Sequence, residues 1–466
     1  MHFLSTKSMI LSIAAVLMVY SYTLAETYLV DSVIEFDQVQ KRMQAGDTIL
    51  WSEGNYGDVN LVLEIDHIYF LAKKVGGTIF TGSSTLEVKG DGNTVAGFQF
   101  EGGKIEGDVI DIYGNNNTIE HVNIHAYDSH YYLRIRPDCQ YNKITYCNFE
   151  AKPETQESSV VQIEATEGLP GYHIVSHCSF KNHTAPPGSG ADYGIEALRI
   201  GYSYQRMFIS RTIVEYCYFE KCNGDYEIIS CKARENIMRY NTFHNNGPAH
   251  LTLRHGSKNL VYGNFFIDGA GVRIKEGQDH AVINNYFDTG EYMAIQLQNH
   301  HYDPVDTVYI LNNTFISGFP IQLGGTGDFP PGNVFLANNL FSSSFDPVSV
   351  DPTNTEIWET NAIQHDDIIP DSGFYKMQMN TIKNKYGLIE VGDVKFFAEI
   401  SMTKDIPVYD IPVLDDDVQI SYDIMKQNKT GEFAAFPGCY LPTRQVTLIL
   451  YATSENTGPF YLHSMN

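Results

Sequence analysis

The chain has 466 residues, with 56 Asp and Glu against 31 Lys and Arg, for a formal charge of −25. So acidic a surface excludes nucleic-acid binders, which need a basic face to meet phosphate. Seven cysteines leave at least one without a partner in any disulfide scheme, and their positions in the repeat described below argue against a disulfide framework.

The first residues, 1–25, read as an export signal. Lys7 precedes the apolar run Met9 to Val19, and the small residues Thr23 and Ala25 set up a cut ahead of Glu26. That run is too short to span a bilayer, and no later stretch is long and apolar enough. The remaining 26–466 is expected to be a single domain, secreted or periplasmic, with no membrane span, acting as a monomer. From Phe36 to Val59, FDQVQKRMQAGDTILWSEGNYGDV predicts a short amphipathic segment and then a strand, which would cap one open end of a stacked repeat array.

Such a repeat runs through the chain: NTVAGFQF, NTIEHVNI, NKITYCNF, YHIVSHCSF, TIVEYCYF, NIMRYNTF, NLVYGNFF, AVINNYF, YILNNTF and FLANNLF. Its closing anchors are Phe100, Ile124, Phe149, Phe180, Phe219, Phe243, Phe266, Phe287, Phe315 and Phe341. Their spacing, mostly 21 to 28 residues, suits an all-β solenoid with three short strands per coil. Two residues before the anchor stand Cys147, Cys178 and Cys217, then Asn241, Asn264, Asn285, Asn313 and Asn339. Five successive asparagines predict a ladder in which each amide bonds the next coil at a bend of unusual backbone angle. The three cysteines would continue the stack as buried thiols. A metal site at Cys217, Cys222 and Cys231 lacks a closed ligand spacing. After Phe341 the repeat fades; residues 350–466 predict irregular coils and a closing cap, with VTLILYA at 446–452 as a strand.

The longest gap, from Phe180 to Phe219, holds KNHTAPPGSGADYGIEALRIGYSYQRMF, whose Pro and Gly predict a loop leaving the coil. Beside it, from Arg199 to Glu276, eleven Lys and Arg stand against seven Asp and Glu. A basic patch on an acidic molecule suits a cleft that attracts a polyanion. Two phrases there carry chemistry, NGDYEIISCKARENI at 223–237 and LTLRHGSKN at 251–259. Counting back from the anchors puts Lys232 and His255 at equivalent places on adjacent coils, with Arg254 next along. Asp225 and Glu227 share one face of a strand by parity. A lysine whose pKa is lowered by nearby cations can take a proton, an arginine can grip a carboxylate, and paired acids can hold a hard cation.

The pieces DTILWSEGNYGDV, KNHTAPPG with EALRIG, EIISCK, LTLRHG and GVRIKEGQDHAVINNYF together resemble the family 6 polysaccharide lyases, which include alginate lyases and chondroitinase B. The resemblance implies a right-handed parallel β-helix that cleaves an acidic, uronate-containing polysaccharide by β-elimination, alginate first and dermatan sulfate as the alternative. It implies Lys232 as base and Arg254 as acid or charge stabiliser, with His255, Arg273 and Arg199 as saccharide contacts. Arg199 could equally be an ion-pair partner, and His280 reads as a turn cap. A calcium site implied at Asp225 and Glu227 is left open, because this chain has the shorter Asp at 225. The expected Asn is also missing, with Asp192 or Tyr193 in its stead. A non-catalytic glycan-binding β-helix is the reading from outside the enzyme class. The tripeptides at Asn116, Asn182, Asn312 and Asn428 would accept glycans only in a eukaryotic source.

Overall fold

The computed structural model describes residues 25–153, 158–189, 192–298, 304–325, 329–342, 348–350, 356–364, 374–383, 389–396, 424, 438–439 and 451–463. The export signal, Asn428 and most of the strand expected at 446–452 lie outside the described residues.

Three parallel sheets wind around one core. The first has 14 strands, from Thr27–Val30 to Glu356–Glu359, each paired with the strand one coil away. The second runs from Gly54–Gly57 to Asn361–Ile363, and the third from Asn60–Leu63 to Val348–Val350. The predicted anchors form an inward file in the second sheet. Phe149, Phe180, Phe219, Phe243, Phe266, Phe287, Phe315 and Phe341 stack ring on ring, with neighbouring centroids 4.7–5.1 Å apart. That interval is the coil spacing itself, about 4.8 Å, so one aromatic per coil fills the interior without a gap. Each fully buried ring contributes roughly 1.5–3 kcal/mol of transfer free energy.

Between the first and second sheets the chain bends through left-handed residues, among them His121, Tyr146, His177, Tyr216, Tyr240, Asn284, Asn312 and Asn338, with φ between 50° and 57°. Such a bend turns the next N–H out of the sheet pairing, where it needs another acceptor. The asparagines supply it. The N–H groups of Cys217, Asn241, Asn264, Asn285, Asn313 and Asn339 donate to Oδ1 of the asparagine one coil on, at 2.9–3.0 Å, and the run ends on Asn361. All seven cysteines are buried free thiols. Cys217, Cys222 and Cys231 direct their sulfurs to separate backbone carbonyls, of Val175, Phe180 and Ala233.

A second run of the same kind occupies the bend from the third sheet to the first. There the N–H groups of Ile68, Asn93 and Asn117 donate to Asn93, Asn117 and Asn142, and that of Asn142 donates to His173 Nδ1. Further on, Thr212 donates to Asn236, Asn236 to Asn259, and Asn259 to His280 Nδ1. His280, in the strand Gln278–Ile283, therefore caps this bend with its ring, which also meets Glu276 O.

The helix Val33–Gln40 covers the first coil. Ser32 caps it by accepting from the Glu35 N–H, and Phe36 and Val39 are buried, Phe36 against Trp51 and Phe70. At the other end the coils continue to Asn361–Ile363 and then give way to an antiparallel hairpin, Phe374–Lys383 with Ile389–Phe396. The last described residues, 451–463, lie away from that end. They run back along the solenoid: Gly458 N–H donates to His177 O, Phe460 packs on His121 and Tyr146, and Tyr451 packs on Tyr240 and Phe265. The aromatic side chains at the left-handed bends form an outer stripe, and this return segment covers it.

Candidate active site

The third sheet carries the chemistry on its outer face and at its strand ends. Pairing Ile200 with Cys231 and Cys231 with Leu253, then Leu253 with Ile274, fixes the register. The next residue on each coil donates its N–H across the pair, Lys232 to Ile200 O, Arg254 to Cys231 O and Lys275 to Leu253 O. Lys232, Arg254 and Lys275 therefore stand in one column, side by side on consecutive coils. This corrects the sequence count, which paired Lys232 with His255. The turn from Arg254 to Asn259 is one residue longer than that from Lys232 to Asn236, although Asn236 and Asn259 occupy the same bend position. Gly256 accommodates the extra residue. Its φ is +76°, and a Cβ there would meet Ala233 O at 2.4 Å.

Arg254 is held by the buried Glu227, Nη1 to Oε1 at 2.6 Å, and Arg273 reaches the same oxygen at 2.8 Å. The other oxygen of Glu227 accepts from Ser230. Tyr226 lies under Arg273, the guanidinium 5.9 Å from the ring centroid, and remains exposed. One coil earlier, Arg199 pairs with Glu196 at 2.5 Å. Glu196, Asp225 and Glu227 bring carboxylate oxygens within 4.8 Å of one another, and all three residues are buried. The parity argument for Asp225 and Glu227 thus agrees with the structure. The third acid does not come from Asp192, which is exposed, or from Tyr193, which packs on the core. It is Glu196, brought in where the loop returns: Ile195 bridges to Gly224, and Gly194 N–H donates to Asp225 Oδ2 at 2.9 Å.

These neighbours set the protonation of each group. Burial lowers the Lys232 pKa, Arg199 and Arg254 lower it further, and Glu196 and Glu227 oppose them without reversing the direction. Lys275 is lowered too, by burial and then by Arg254 and Arg273. Burial pushes Glu227 up, but Arg254 and Arg273 outweigh it and hold the carboxyl below its ordinary range. Asp225 is pushed up to about 7 by burial, Glu196 and Glu227. Three buried carboxylates whose oxygens converge are a hard-oxygen donor set fitting a calcium ion, and an added cation would relieve their repulsion.

Arg273 lies on the outer face of the third sheet, in register with Thr252 and two coils from Ser230. His255 turns away from the column, its Nδ1 2.5 Å from Glu276 Oε2. Lys275 and Glu196 escaped sequence reasoning. Lys275 follows from the anchor count, twelve residues before Phe287 as Arg254 is before Phe266, whereas Glu196 has no signal short of the loop's path.

A family model described as Chondroitinase B matches residues 30–419. No curated protein matches the sequence. Among solved structures, the PL6 family alginate lyase AlyGC superposes with a TM-score of 0.69 at 23% identity, over 79% of this chain and 55% of that one, so this chain spans about half its length. A mannuronic acid specific family 6 lyase from human gut microbiota gives 0.67 at 23% identity, covering 75% of this chain and 91% of that one. Pedsa3628 from Pseudopedobacter saltans, a PL6 family polysaccharide lyase, gives 0.63 at 22% identity over 74% and 94%. At these identities the superpositions carry the fold, and the family model, covering well over half the sequence, carries the membership. The chain belongs to the chondroitinase B family, the family 6 polysaccharide lyases.

Proposed function

We propose that this protein is an exported, monomeric lyase that cleaves a polyuronate, alginate, by β-elimination. The observation that carries the reading is the column at the end of the third sheet. There Lys232, an amine with no carboxylate in ion-pair range among the described residues, stands next to Arg254, which Glu227 holds in place. In the reaction the Lys232 amine takes the C5 proton of a uronate, the C4–O4 bond breaks, and a C4=C5 double bond forms. Arg254 grips the C6 carboxylate and stabilises the charge that develops there; water delivers the proton to the departing O4, since a guanidinium rarely gives one up. Arg273, on the following coil, contacts the saccharide in this reading, whereas His255, turned onto Glu276, and Arg199, paired with Glu196, act through those pairs. Glu196, Asp225 and Glu227 would hold a calcium ion, whose charge would further acidify C5 by neutralising the substrate carboxylate.

Alginate is favoured over dermatan sulfate by what flanks the column. A sulfated chain calls for additional cations at the outer coils. On one side the sheet presents Gln296, Gln298 and Gln322, hydrogen-bonded to one another. On the other, Arg134 and Arg136 are already paired with Asp108, Asp111 and Glu164. The test is the ultraviolet absorbance of the unsaturated product on alginate, polymannuronate, polyguluronate and dermatan sulfate, with and without a chelator. Turnover of a polyuronate is expected, and Lys232→Ala should abolish it while the fold is retained. A flat trace on all four substrates would point instead to a glycan-binding module, and substantial activity in Lys232→Ala would remove that residue from the mechanism.

A further inference from the structure

The proton abstraction leaves Lys275 without a task. Lys275 stands one coil beyond Arg254 in the column, half-buried, with its backbone N–H 3.0 Å from Leu253 O. The guanidiniums around it are engaged: Arg254 and Arg273 share Glu227 Oε1, and Arg199 holds Glu196. Among the described residues, neither Lys232 nor Lys275 has a carboxylate within ion-pair distance. The column therefore offers two unmatched ammonium groups, one on each side of a matched guanidinium. A half-buried ammonium without a counter-ion is unfavourable, and supplying an anion relieves it. Lys232 meets the ring that loses its proton. Lys275, about 10 Å away at two coil spacings, lies further along a chain laid parallel to the solenoid axis. The neutral Gln298 comes next in the same column, its N–H on Ile274 O, so the cationic stretch stops at Lys275.

We propose that Lys275 determines specificity by binding a second uronate carboxylate of the same chain, on the side of Arg254 away from Lys232. This rests on the lyase reading. The test compares the wild type with Lys275→Met and Lys275→Arg on polymannuronate and polyguluronate, resolving kcat from KM across a salt series. Lys275→Met should raise KM about tenfold, the loss of one charge-assisted hydrogen bond, with a much smaller change in kcat and a flatter dependence of KM on salt. Lys275→Arg should preserve both. An unchanged KM and salt dependence in folded Lys275→Met overturns the assignment, as does a loss confined to kcat. If the wild type cleaves neither polymer, the lyase reading fails by itself. The lysine is then judged by retention of wild type and Lys275→Met on immobilised polyuronate, where equal retention overturns it.

Discussion

The chemistry of the site depends on how one amine is surrounded. Lys232 is made a usable base by burial and by Arg199 and Arg254, against the pull of Glu196 and Glu227. The free amine accumulates as pH rises through its lowered pKa, so kcat/KM should climb along an alkaline limb. Arg199→Gln removes a repelling cation and releases Glu196 from its pair, and both effects raise the Lys232 pKa. The limb should therefore move to higher pH with activity at neutral pH reduced severalfold, as a pH–rate profile would show; an unmoved limb would mean that Arg199 does not act on the base. The places of Lys232 and Arg254 on adjacent coils were legible in the sequence, although the anchor count set Lys232 level with His255 rather than Arg254, and parity brought the acids at 225 and 227 together. Glu196 was not legible, because a loop of free path precedes it, and no count along the chain says where such a loop comes back. Lys275 was within reach of the count, standing twelve residues before Phe287 as Arg254 stands before Phe266.

At the level of elements, the turns carry as much information as the strands. The asparagine run at the first bend could be read directly, since one residue type repeats at one offset from a phenylalanine. The run at the other bend is written with mixed residues, Asn for most coils but His at 173 and 280, so no repeat stands out. The physics is shared: what the bend needs is an acceptor, and a neutral imidazole Nδ1 serves as well as an amide oxygen. It serves only while neutral. Burial pulls both histidines down to about 4, whereas in the unfolded chain they titrate near about 6.5. Between those values the unfolded state binds protons that the folded state refuses, so stability is full above pH 6.5 or so and drains away as pH falls toward 4. His173→Asn with His280→Asn should flatten this acid limb in urea titrations, by at most about 3 kcal/mol per ring. An identical pH dependence in the double variant would show that these turns do not govern acid stability.

Across the whole molecule, the continuous core followed from the anchors, since stacking of like on like obliges each coil to repeat its neighbour, although ten anchors undercount the 14 strands of the first sheet. The C-terminal course did not follow, because the return segment packs on an outer stripe whose members, His121, Tyr146, His177, Tyr216 and Tyr240, look like scattered surface aromatics in sequence. Removing residues from 451 onward should uncover that stripe, lower the melting temperature by a few degrees and create binding for a hydrophobic dye. Turnover at low temperature should persist, as the stripe lies at the bend between the first two sheets and the column ends the third. A truncated protein that melts like the full chain would show the segment to be dispensable.

The surplus residue in the turn after Arg254 works like a shim between two gears. Each coil advances the backbone by a fixed step, and the side chains engage only if the step is kept in phase; strand pairing keeps Arg254 level with Lys232, and the shim lets His255 fall back on Glu276. Excising Ser257 would leave Arg254 four residues before its bend asparagine, as Lys232 is before Asn236, so the guanidinium should stay level with the amine while His255 is drawn off Glu276. The variant should fold with near-native circular dichroism and keep turnover, whereas a loss as complete as that of Lys232→Ala would show that the column depends on the His255–Glu276 pair.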